Sequence, residues 1–120
     1  MPRIEVVNME FGYPTADEAR KRLVTELELA RRKGVKVLKI IHGYGSSGRG
    51  GKLRTALRSV LRQREQQGML GRIVEGEAWT IFDEASRGLL DRYPDLRRDR
   101  DLENGNAGIT LVEITRLPAT

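Results

Sequence analysis

Apolar residues recur along this chain with two different periods. Ile4 to Phe11 mixes alternation with apolar positions, which predicts a strand of about six residues ended by Gly12-Tyr13-Pro14. Thr15-Ala16-Asp17-Glu18 matches a capping box, and Ala16, Ala19, Leu23, Leu27 and Ala30 then follow at spacings of three and four. That is a helix with one buried face. Arg31, Arg32 and Lys33 suit its C-terminus electrostatically, and Gly34 is a natural residue to end it. Val35 to Ile41 is mostly apolar and predicts a strand buried on both faces. Leu53, Ala56, Leu57, Val60 and Leu61 restore the helical period and predict a second helix ending before Gly68.

The last third is less regular. Gly71 to Glu75 reads as a short strand, Gly76 to Trp79 as a turn, and Phe82, Ala85, Leu89 and Leu90 as a helix face stopped before Pro94. Asp95 to Gly108 is charged and reads as a surface loop, and Ile109 to Thr115 is a closing strand. The order β-α-β-α-β-(α)-β predicts an α/β two-layer sandwich. Its four-stranded sheet is expected to be mixed and mostly parallel, with helices mainly on one face and the first three strands joined through helices. The chain of 120 residues suits a single domain, 1–120, with no internal repeat or linker.

Composition narrows the chemistry. A formal charge of +5 and a pI near 10.0 favour an anionic partner, though basicity by itself speaks only of solubility and steering. Without cysteine there is no disulfide, thiol nucleophile or thiolate metal cluster, and one histidine excludes zinc sites built on several imidazoles. Met1 to Glu10 does not resemble a signal peptide, and no apolar run reaches the ~20 residues of a membrane span. The expectation is a cytoplasmic protein with no membrane partner.

Chemistry concentrates between Val35 and Arg54. A strand ends in His42, passes through a loop with five glycines, and leaves into a helix through Lys52 and Arg54. Backbone N–H groups and positive charge at a helix start suit an anion. Gly43-Tyr44-Gly45-Ser46-Ser47-Gly48 spells GxGxxG, but the acid nearest the required distance, Glu65, lies inside the second helix, which argues against a dinucleotide site. A P-loop fails too, because Ser46 stands at its first glycine and Leu53 follows Lys52 where a hydroxyl is needed. Asp99 to Thr110 lacks the glycine and the glutamate of a calcium loop and reads as solvated, so no metal ligands are assigned.

Arg54, Arg58 and Arg62, four apart, predict a guanidinium stripe. From His42 to Arg72 seven Lys/Arg stand against one acid, Glu65. A solvated helix face would carry the same pattern, but beside the glycine loop both features suit a chain of phosphates. His42 has two readings, a ring packed at a strand end and a phosphate or acid–base group at a C-terminal strand edge. The edge position and adjoining glycines favour the second. Trp79 reads as core, and Tyr44 as the better base-stacking candidate.

With His42-Gly43-Tyr44-Gly45 followed by Lys52-Leu53-Arg54, the chain resembles the small MutS-related (Smr) domain family, whose second motif is an H-G-x-G loop entering a helix through Leu-Arg. That family's first motif, L-D-L-H-G or L-D-L-R-G before T-x-E-E-A, corresponds to Val7-Asn8-Met9-Glu10-Phe11-Gly12 and Thr15-Ala16-Asp17-Glu18-Ala19, a degraded form. The resemblance implies a two-layer α/β fold like the C-terminal domain of a translation initiation factor, with binding to DNA or RNA and nicking or endoribonuclease activity in some members. Asn8 replaces the family's aspartate and Glu10 its histidine or arginine, and 72–108 reads as an insertion with a short helix.

The leading reading is therefore a nucleic-acid-binding domain that contacts phosphates through His42, Gly43, Tyr44, Gly45, Arg49, Lys52, Arg54, Arg58 and Arg62. A second is a metal-assisted endonuclease with His42 and Glu10 as the active pair, which would bring Mg²⁺ or Mn²⁺ as cofactor; the binding reading needs none. A third is a protein-interaction module docking a basic partner on the acidic 73–103 region.

Overall fold

The Thr15 hydroxyl accepts from the Glu18 amide at 3.1 Å, and the Glu18 carboxylate accepts from the Thr15 amide at 2.8 Å. This reciprocal pair starts α1 (Ala16–Lys33), which Gly34 ends at φ 76°. In the computed structural model, which describes residues 4–43 and 49–115 (backbone only at 49 and 50), α1 follows β1 (Ile4–Asn8) and precedes β2 (Val37–Ile41). Then come α2 (Arg49–Gln66), β3 (Leu70–Glu75), α3 (Glu84–Arg92) and β4 (Ile109–Ile114).

The sheet order is β1-β2-β4-β3, with β1 parallel to β2 and β4 antiparallel to both its neighbours. Three strands thus point the same way, as their helical connections require. Helix α2 carries the chain past one slot, and β4 fills that slot in the opposite direction, so two of the three ladders are antiparallel. All six residues of β4 are buried.

Side-chain alternation sends the strands' apolar groups to both faces. Leu38, Ile40, Val112 and Ile114 meet Leu23 and Leu27 of α1 and Leu57 and Leu61 of α2. On the other face Val37, Val74, Ile109 and Leu111 meet Trp79, Leu89, Leu90, Tyr93 and Leu96. The two long helices share one face, and segment 76–108 adds a partial further layer over the second.

Two local expectations change here. Helix α3 begins at Glu84, with the Asp83 side chain accepting from the Ser86 amide at 2.9 Å, so Phe82 falls before the helix and is exposed. Asp95 to Gly108 is not a solvated loop. It opens in a 3-10 turn, Pro94–Arg98, that buries Leu96, and it brings Asp99 and Asp101 onto Lys39 of β2 at 2.7 and 2.5 Å. Lys39 is only 5% exposed, so its charge needs a counter-ion there, and the Trp79 indole N–H holds Asp99 at 3.0 Å.

Gly76 shows how tightly this layer seats. A Cβ there would run into the Asn106 carbonyl oxygen and meet Ile109 Cγ1 at 2.7 Å. We expect Gly76→Ala to cost about 2–4 kcal/mol, by the overpacking of a close backbone approach, measured as a lower urea midpoint.

Candidate nucleic-acid interface

Strand β2 delivers His42 and Gly43 to the start of β4, where both backbone N–H groups donate to the Gly108 carbonyl at 2.9 and 3.1 Å. Gly43 turns the chain at φ 80°, a left-handed conformation that favours glycine. Strand alternation turns Ile41 toward α3 and His42 toward α2, and the imidazole is fully buried there.

Its protonation follows from its partners. Nδ1 lies 2.7 Å from the Gly43 carbonyl, which can only accept, so Nδ1 carries the hydrogen. Nε2 then accepts, at 2.8 Å, from the Thr110 hydroxyl, which in turn accepts from Arg58 Nε at 2.9 Å. The ring is neutral. Burial pushes its pKa down to about 4, and the positive charges of Arg58 and Arg54 act in the same direction, against the Gly43 carbonyl. His42 therefore holds the loop's first turn and is not free to contact a phosphate in this conformation, contrary to the expectation from its strand-edge position.

Arg58 organises the surroundings. Its two terminal nitrogens donate to the Glu77 carboxylate at 3.0 and 2.7 Å, and one also reaches the Ile109 carbonyl at 3.0 Å. Those hydrogen bonds hold the Glu77 carboxyl below its usual range. Arg62 pairs with Glu65 at 3.2 Å and Glu75 at 3.4 Å. The expected arginine stripe is thus not an open phosphate track, because β3 and the turn after it set Glu75 and Glu77 against α2. Sequence periodicity marks the face of α2 but not what lies opposite.

Cations near the start of α2 differ. Lys52 is exposed and Arg54 half-buried, neither forms an ion pair with a described residue, and the first turn holds no acid. Tyr44 and Gly45 lie outside the described residues, and only the backbone of Arg49 is described, as the first residue of α2.

Glu10 is exposed and lines a cleft on the α3 side of the sheet together with Val6, Ile41 and Gly43. The His42 ring is not a wall of that cleft, so the structure does not bring the expected catalytic pair together there. Among the described residues no group of three His, Asp or Glu side chains converges to hold a Mg²⁺ or Mn²⁺ ion. Acids of the 73–103 region are largely engaged inside the molecule: Glu75 and Glu77 by arginines, Asp99 and Asp101 by Lys39, and Glu103 by the Thr80 hydroxyl and the Ile81 amide. The sequence reading missed Thr110, whose one signal was a hydroxyl near the start of the closing strand.

The family model for the Smr domain matches residues 12–70, which takes in α1, β2, the glycine loop and α2. Residues 12–70 thus belong to the Smr domain family. No curated protein matches the chain. Its fold is similar to the crystal structure of the Smr domain of Thermus thermophilus MutS2, with a TM-score of 0.58 and 22% identity over 92% of this chain and 98% of that one. That likeness in fold reaches well beyond residue 70. In this Smr domain the H-G-x-G histidine is a buried, neutral anchor, and Arg58 and Thr110 hold it so.

Three measurements check this arrangement. The one imidazole is expected to keep the neutral Nδ1–H form by NMR down to about pH 4. Because the unfolded chain binds that proton near pH 6.5 and the native state does not, stability should fall as pH drops from 6.5 to 4, by about 3 kcal/mol in all from this group, and His42→Asn should lose that slope. Arg58→Lys should destabilise by about 2–4 kcal/mol in urea unfolding, since one ammonium cannot serve Thr110, Glu77 and a backbone carbonyl together.

Proposed function

We propose that this Smr domain binds the sugar–phosphate backbone of DNA or RNA at the Gly43 turn and the start of α2. One observation carries the reading. Along α2, Arg58 and Arg62 are neutralised by Glu75, Glu77 and Glu65, while at the start Lys52 and Arg54 form no ion pair with a described residue, Glu77 acting on Arg54 only at longer range. Arg64 forms no ion pair with a described residue either, but it lies in the last turn, at the end of the helix dipole that disfavours an anion. Positive charge is thus left where a helix also offers unpaired N–H donors, which is the combination an anion needs. The net charge of +5 would steer a polyanion toward it.

Within this reading His42 is a positioning residue that fixes Gly43, and Lys52 and Arg54 are the phosphate contacts. Tyr44, Gly45 and Arg49 belong to the same loop and helix start and complete the candidate surface. Smr membership supports a nucleic acid as the anion.

Affinity for a short single strand, followed by fluorescence anisotropy, should fall steeply with salt. The Lys52→Ala/Arg54→Ala pair should weaken binding about tenfold or more and flatten the log–log slope by about 1.4, near 0.7 per lost phosphate contact. A salt-independent affinity, or a double variant with the wild-type slope, would falsify the proposal.

A further inference from the structure

The cleft on the α3 side has features that a phosphate site would not. It encloses about 650 Å³, within the roughly 300–1,000 Å³ of small-molecule sites. Val6, Ile41 and Ile109 give it apolar walls, and Gly43, the turn of the proposed phosphate loop, borders it. Of its charged side chains, Lys39, Asp99 and Asp101 are paired with one another. Glu10, Arg98 and Arg100 are exposed and make no hydrogen bond or ion pair with a described residue through their side chains.

Arg98 and Arg100 can face phosphates of a strand that passes the cleft, but the unpaired Glu10 carboxylate repels them, so a phosphate group is not the occupant beside Glu10. A flat ring carrying N–H donors is, since apolar walls suit its faces and a guanidinium can stack on it. Among the bases only guanine presents two adjacent donors, N1–H and the 2-amino group, which match the two oxygens of one carboxylate. Adenine, cytosine and uracil each place an acceptor beside their donor. A base can enter only if it has left the stack, which a single-stranded segment or a bulge allows.

Resting on the phosphate-binding reading, we propose that this cleft takes one unstacked guanine of a single strand whose neighbouring phosphates lie at the start of α2, with Glu10 accepting from the guanine edge. Glu10 is then a specificity residue.

The test uses the full chain and ten-nucleotide DNA and RNA strands of thymidine or uridine that differ at one central position: guanine, inosine, adenine or an abasic sugar. The guanine strand should bind at least about tenfold tighter than the abasic one, in the range a two-bond base contact supplies, with inosine between because it lacks the 2-amino donor. In Glu10→Gln the guanine-to-abasic ratio should fall below about threefold. Val6→Trp, which fills the cleft from an edge-strand position already 56% exposed, should bring it near one. The ratio is read within each variant, so a general loss of affinity does not move it. Equal affinity for guanine and abasic strands, or a preference that survives both variants, removes the base from the cleft and leaves the phosphate reading standing. Free guanosine monophosphate binding as tightly as the strand overturns the strand as its source. Failure to bind any strand overturns both readings.

Discussion

The guanidinium of Arg58 is the interaction on which this end of the molecule depends. It sits on α2, yet its partners are the Thr110 hydroxyl and Ile109 carbonyl of β4 and the Glu77 carboxylate after β3. A planar group with five donors can meet such divergent acceptors at once. By occupying one lone pair of Thr110, it leaves that hydroxyl to donate to His42, and the imidazole then holds the Gly43 turn. Helix, central strand and loop are one hydrogen-bonded unit.

A second ionic cluster closes the opposite face. Lys39 lies on β2 among apolar neighbours and would be costly there alone, and Asp99 and Asp101 reach it only because segment 94–102 folds back over the sheet. The Trp79 indole and the Asn106 amide complete the carboxylates' hydrogen bonding. Glu113 repeats the pattern nearer α3, where the Tyr93 hydroxyl, Arg72 and Arg92 surround it. Buried charge is matched on both sides of the sheet.

This matching also shapes the surface. A basic chain that spends Arg58, Arg62 and Lys39 on internal carboxylates keeps its unpaired cations elsewhere, including at the start of α2. On the α2 side of Gly43 stand Lys52 and Arg54, whereas the cleft on the other side sets an unpaired carboxylate, Glu10, beside Arg98 and Arg100. Net charge says little about such a division, because it counts paired and unpaired groups alike.

Much of the fold was legible because its signals are local. The Thr15–Glu18 capping box, the 3-4 spacing of Leu23 and Leu27, and the H-G-x-G turn at Gly43 each depend on residues a few positions apart, and the first two helices and all four strands follow from such patterns. What tertiary structure alone decided involves partners tens of residues distant. Lys39 meets Asp99 and Asp101 across some sixty residues, and Arg58 meets Thr110 across fifty-two. His42, read from its position as a group facing the ligand, became a buried neutral anchor, because the hydroxyl that accepts and donates beside it lies 68 residues away. Periodicity assigns a residue to a face; only packing assigns what that face meets, and burial then sets the residue's charge.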